Sequence, residues 1–96
     1  MAAPAVKTVE FAIRGPIARS DLPGLCDRVC ALLRSAHAGV ALCDVRGVPA
    51  DAVTIDALAR LQVGAQRHGC RVHLRHASSE LRELLEFMGL ANVLPE

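Results

Sequence analysis

The sequence predicts one α/β domain, a mixed but mostly parallel sheet with helices packed against it. Three observations carry this. Short apolar segments and amphipathic ones alternate in the order β-α-β-α-β-α, the connections between them are short, and the middle strand segment is almost continuously apolar. Such an order is built largely from right-handed crossovers.

The first strand is expected over residues 7 to 14, "KTVEFAIR", with Val9, Phe11 and Ile13 on one face and Gly15-Pro16 ending it. A helix should follow, with Ser20 as N-cap, Asp21 at the favourable end of the dipole, and Leu22, Leu25, Cys26, Val29, Leu32, Leu33 and Ala36 at helical spacing. Gly39 suits its exit. "VALCDV", residues 40 to 45, reads as a strand covered on both faces, with Asp44 its one charge. Residues 53 to 68 read as a second helix, with Leu58, Leu61 and Ala65 at i, i+3 and i+7 and Gly69 beyond its end. In "CRVHLRHA", Cys70, Val72 and Leu74 alternate with Arg71, His73 and Arg75, which predicts a strand with one wetter face. Ser78 caps a third helix whose stripe is Leu81, Leu84, Leu85 and Met88, closed by Gly89. "NVLPE" is expected to supply a last short strand.

Composition narrows the function. Ninety-six residues, 52% of them apolar, fill one core and leave no room for a second domain. Residues 1 to 6 are expected to be flexible. With no Trp or Tyr and only two Phe, the chain lacks stacking platforms for bases. Eleven basic side chains against ten acidic ones give a net charge of +1 and no basic face, so a nucleic-acid partner is not expected. No apolar run approaches membrane-spanning length, and "MAAPAVKTVEF" carries no leader pattern. A cytoplasmic protein without direct membrane insertion is the expectation, and its four cysteines then sit in a reducing compartment.

Those cysteines do not have the spacing of a metal site. Cys26 and Cys30 stand four apart on a helix and Cys43 and Cys70 fall on strand segments, whereas structural zinc sites pair closely spaced loop cysteines with a second such element. They read as small core residues. His37 and His68 sit near helix C-termini, where the dipole favours them, and His73 and His76 are scattered. No Ser-His-Asp order, P-loop or glycine-rich phosphate fingerprint is present. Neither a catalytic role, a metal nor a cofactor is expected.

What remains is the stretch "VPADAVTIDALARLQ", residues 48 to 62, with Asp44 just before it. Asp44 ends a strand, and functional groups collect in the crevice beyond strand C-termini. Asp51 and Thr54 stand at the next helix N-terminus, where either could cap the helix and where the dipole also favours an added phosphate.

In these residues the chain resembles STAS domains, the anti-sigma factor antagonist family. "CDVRGV" at 43 to 48, "RHGCRVHL" at 67 to 74 and "SSELRELLEFMGLANVL" at 78 to 94 match the family's pattern of a strand ending in a D-L-S-G-V loop, a Gly-terminated helix before a strand, and a last helix ending in Gly-Leu. The resemblance implies a STAS-like domain that docks rather than catalyses. Its partner would be an anti-sigma factor or a serine/threonine kinase of that type, which phosphorylates the first hydroxyl of a D-S-S-G or D-T-A-G motif. The surface implied is Asp44, Arg46, Gly47, Val48, Asp51, Val53, Thr54, Asp56 and Ala57. This sequence departs from the motif: counting from Asp44 puts Val53 at the phosphoacceptor, and counting back from Gly69 puts Ala52 there. The motif glycine is absent, and Thr54, the only nearby hydroxyl, is the phosphoacceptor candidate, inheriting that role if the local backbone shifts by one or two residues. Asp51 and Asp56 already place negative charge beside it. A second reading is an accessory subunit of an ABC-type lipid transporter, where related domains also use a Thr. A weak homodimer is compatible with either.

Overall fold

The outer two strands form because apolar residues alternate with polar ones over five residues, and the middle one because a nearly continuous apolar run is bounded by turn residues. They are β1 (Thr8–Ala12), β2 (Val40–Asp44) and β3 (Arg71–Arg75). The computed structural model describes residues 7–95. The expected flexibility of residues 1–6 lies outside them.

The sheet has the order β1-β2-β3, and both pairings are parallel, so the mixed sheet expected is wholly parallel among the described residues. Val9, Ala41 and Val72 stand side by side, as do Phe11, Cys43 and Leu74. These two rows face the core. Helices α1 (Leu22–Ala36) and α2 (Ala52–Arg67) are the crossovers, and α3 (Ser79–Phe87) follows β3. Two right-handed crossovers stepping in the same direction put both helices on one face. Val29 and Leu33 of α1, Leu58 and Leu61 of α2 and Leu81 and Leu85 of α3 accordingly share one aliphatic core with the inward rows. The helices α1 and α2 approach closely at Gly64, where any Cβ would come within 2.9 Å of the Cys30 sulfur.

Among the described residues nothing covers the other face, which corrects the expectation that β2 is buried on both sides. Val40, Leu42 and Asp44 are only half-buried, and their neighbours Thr8, Glu10, Ala12, Arg71 and Arg75 are exposed.

Helix ends depart from the sequence reading in two places. Asp21, not Ser20, is the N-cap of α1; it is the last residue of a single 3-10 turn at Arg19–Asp21, and its carboxylate accepts from Ala18 N–H at 3.1 Å. Pro23 within the first turn costs nothing there, because its missing N–H would have no helical partner. Helix α1 ends at Ala36, three residues before Gly39. His37 takes the left-handed conformation, φ 51°, while Ala38 N–H reaches Leu33 O and His37 N–H reaches Arg34 O. This is the six-to-one and five-to-two bonding of a Schellman motif. Gly39 instead starts the approach to β2, its N–H donating to Lys7 O at 2.9 Å. In α3, Ser78 caps as expected through Leu81 N–H at 3.1 Å, but Met88 is 49% exposed and leaves the apolar stripe.

Residues 91–94 form a turn rather than part of the expected strand. Val93 and Leu94 N–H both reach Leu90 O, Leu94 is buried, and Pro95 O accepts from Leu74 N–H at 2.7 Å. The same edge of β3 is completed by a buried side chain of α2. Gln62 Oε1 accepts from Val72 N–H at 2.8 Å, and its Nε2 donates to Val72 O at 3.0 Å and to Val93 O at 2.6 Å. A side-chain amide thus replaces a fourth strand at the centre of that edge.

Because Gln62 is 1% exposed and its two bonds to Val72 are buried, no water can take over that pair. Gln62→Leu keeps the volume, orphans Val72 N–H and Val72 O, and removes a partner from Val93 O. The expected loss is about 3 kcal/mol, a few such orphaned groups at 1–3 kcal/mol each with partial relaxation. Urea unfolding of the two proteins measures it, and faster hydrogen exchange at the Val72 amide should accompany it.

Candidate functional site

The β2–α2 connection is fixed by its own short-range bonds. The Asp44 carboxylate turns back to accept from Arg46 N–H at 2.9 Å, and Val48 N–H closes a turn on Val45 O at 3.1 Å. The third residue of that turn is Gly47 at φ 76°, a conformation open to Gly at little cost and the one a type II turn requires at this position. Val45 and Val48 are buried beneath the loop, leaving Arg46 and Gly47 exposed. Pro49 packs on the β1–α1 connection so tightly that a Cβ on Gly15 would lie 2.5 Å from Pro49 Cδ. The connection is therefore braced from both sides.

Helix α2 begins at Asp51, whose carboxylate accepts from Thr54 N–H at 2.8 Å. That bond holds the Asp51 carboxyl below the usual carboxylate range, with the nearby Thr54 hydroxyl the next contribution. The hydroxyl lies close to Asp51 without reaching hydrogen-bond geometry, and Thr54 Oγ1 has no partner among the described residues. Asp44 is likewise held low, first by Arg46 N–H, with Arg46, His76 and Arg14 adding favourable charge. Asp56 is engaged on the flank of α2, 3.1 Å from Arg60 and 3.4 Å from Arg19.

The residues singled out by sequence therefore divide. Arg46, Gly47 and Asp51 form an exposed rim, Asp44, Val53 and Asp56 are half-exposed beside it, and Val48, Thr54 and Ala57 are buried. Thr54 is 0% exposed, so a kinase cannot reach its hydroxyl while the first turn of α2 is intact. Its role in this conformation is that of the residue capped by Asp51. Gln62, the most consequential polar side chain of α2, was not singled out. The signal was present: it lies four residues after Leu58 and three before Ala65, on the stripe that has to be buried.

The cysteines sit as small apolar residues. Cys43 and Cys70 are buried and Cys26 and Cys30 half-buried, all as free thiols. Burial, with Asp44 adding to it, pushes the Cys43 thiol up to about 12, and burial raises Cys26 and Cys70 as well. The thiols of Cys26, Cys43 and Cys70 stay protonated at neutral pH, the opposite of an activated nucleophile. Among the described residues, no three His, Cys, Asp or Glu side chains come together as metal ligands, and no helix is long and apolar enough to cross a membrane.

No protein-family model matches this chain, and no curated protein matches it significantly.

Thr54→Val removes an unsatisfied buried hydroxyl at constant shape, and it should leave stability unchanged or raise it by up to about 1 kcal/mol. Thr54→Glu, a phosphate mimic, should instead unfold the first turn or the domain, read by circular dichroism and thermal melting. Acid titration tests the carboxylates. A carboxyl held low in the folded state contributes stability above the ordinary carboxylate range, and this contribution is lost as pH falls through its folded value, below about 4. Asp51→Asn retains a capping oxygen, so it should flatten that part of the acid unfolding curve while the melting temperature at neutral pH falls only slightly.

Proposed function

We propose that this chain is a non-catalytic STAS-like docking domain that binds an anti-sigma factor, or a related kinase, through the β2–α2 connection and the first turn of α2. The observation that carries the reading is the braced rim of Arg46, Gly47 and Asp51 at the C-terminal edge of the sheet, where the chain also resembles the antagonist family. A rim already ordered before binding spends little conformational entropy when a partner arrives. Its positive Arg46 and negative Asp51 offer a charge pattern that steers a partner and fixes its register. No nucleophile paired with a base lines this edge among the described residues, which favours binding over chemistry.

On this reading docking is constitutive rather than phosphate-gated. The hydroxyl that a kinase would need is buried, and the Asp51 carboxylate already occupies the helix N-terminus where a phosphoryl group would be stabilised. Cytoplasmic placement belongs to the same proposal.

The tagged chain, used as bait in a lysate of its own cells, should retain an ATPase of the histidine-kinase type, with Thr54 unmodified in the same mass-spectrometry run. Arg46→Glu, at an exposed position outside the core, should weaken retention at least about tenfold by reversing the rim's one positive charge. Capture of an ABC-type ATPase and permease would move the chain to the transporter reading. Retention unaffected by Arg46→Glu would place the interface elsewhere.

A further inference from the structure

Among the described residues one face of the sheet is left uncovered, and this is the structural anomaly. Parallel sheets are found almost only with both faces covered, because their strands are joined by helices that bury them. Here the crossovers α1 and α2 share one face with α3, and the opposite face presents three rows of side chains: Thr8, Val40, Arg71; Glu10, Leu42, His73; Ala12, Asp44, Arg75. None of these nine belongs to the core among the described residues. Charge across them is segregated. Glu10 and Asp44 lie on β1 and β2, and every base lies on β3.

We propose that this face binds the same face of a second copy, forming a symmetric dimer whose two-fold axis runs parallel to β2. Two sheets packed face to face with their strands aligned are related by an axis in the plane between them, either along the strands or across them. An axis across the strands would set β3 on its own image and bring Arg71 opposite Arg75, a like-charge contact repeated twice. An axis along the strands sets β1 of one copy on β3 of the other. Glu10 then meets His73 of the second copy, with Arg71 and Arg75 of that copy one step away on either side. Size complements charge in this arrangement, because the small residues Thr8 and Ala12 stand opposite the long side chains of Arg71 and Arg75. Around Ala12 the surface forms a depression of about 330 Å³ lined by Glu10, Asp44, Arg75 and His76, so the incoming arginine enters between two carboxylates. Leu42 meets Leu42 on the axis and supplies the apolar centre. The two Asp44 side chains also approach the axis, but each is turned to its own Arg46 N–H at 2.9 Å and lies beside an incoming Arg75. The β2–α2 rim lies at the end of the sheet, so two docking sites would be carried by one dimer.

The test is sedimentation equilibrium of the whole chain up to about millimolar concentration, where even a weak pair is visible. A monomer–dimer equilibrium that weakens with added salt is expected. Glu10→Arg alone, and Arg71→Glu with Arg75→Glu in a second protein, should each weaken self-association by about a hundredfold or more through like-charge contacts. Mixed in equal amounts, the two variants should recover dimers, because both halves of the interface are then oppositely charged. All three positions are exposed, and circular dichroism checks that each variant is folded. A strictly monomeric native chain would overturn the proposal. So would a dimer indifferent to both variants, or a mixture that stays monomeric.

Discussion

The arrangement of this domain depends on a single side-chain amide. A three-stranded parallel sheet has two edges, and an edge is a row of peptide groups in need of partners. On β3 that need is met by Gln62, which faces Val72 as another strand would and also binds Val93 O. Because Gln62 belongs to α2, the bond does more than satisfy the edge. It fixes how far along β3 the helix sits, and hence where the N-terminus of α2 emerges relative to the end of β2. The last turn of the chain is held in the same way, with Leu94 buried and Pro95 O on Leu74 N–H. An apolar residue at position 62 would fill the space equally well but could not set this register, since hydrophobic contact has no direction.

A second consequence follows from placing all three helices on one side. The core is then a single aliphatic layer between sheet and helices, and its thickness is set by close contacts such as Cys30 against Gly64. Among the described residues the outer sheet face has no such layer and is occupied by side chains that tolerate water, Glu10, Arg71, His73 and Arg75 among them. Val40 and Leu42 on β2 are the exceptions, aliphatic residues in the middle of a charged field. It is this mixture, rather than apolar area alone, that makes the face selective for an oppositely patterned surface.

Much of the fold was legible because local signals agreed with one another. Alternation in "RVHLR", the cap at Ser78 and the glycine after each of the last two helices named elements and boundaries correctly, since each encodes a backbone requirement within a few residues. The failures were those of non-local information. "VALCD" is apolar enough for a strand buried on both faces, yet which faces are covered depends on the side chosen by each crossover. "NVLPE" has the residues of a strand, but the edge it would have joined is already taken by Gln62. His37 supplied the left-handed residue that Gly39 was expected to provide because the Schellman bonds and the Gly39 contact to Lys7 O together fix the chain direction. At the candidate site the sequence offered Asp51 or Thr54 as the cap, and the structure has Asp51. The burial of Thr54 was hidden, since a threonine in the first turn of a helix can face either way until the sheet beside it is placed.

Thr54 also bears on how the rim could be regulated. Its hydroxyl is enclosed without a partner, a cost that a docking surface gated by phosphate could justify only if the turn opened readily. Here the turn is held by the Asp51 carboxylate on Thr54 N–H, by the braced Pro49 before it and by the ion pairs of Asp56 after it. Opening it for a kinase would break the cap and expose Ile55 and Leu58 behind it, both nearly inaccessible. On the proposed reading, the strength of docking therefore responds to what the fixed charges of Arg46 and Asp51 feel, the ionic strength and the partner's own charge. Covalent control belongs more naturally to the partner than to this chain.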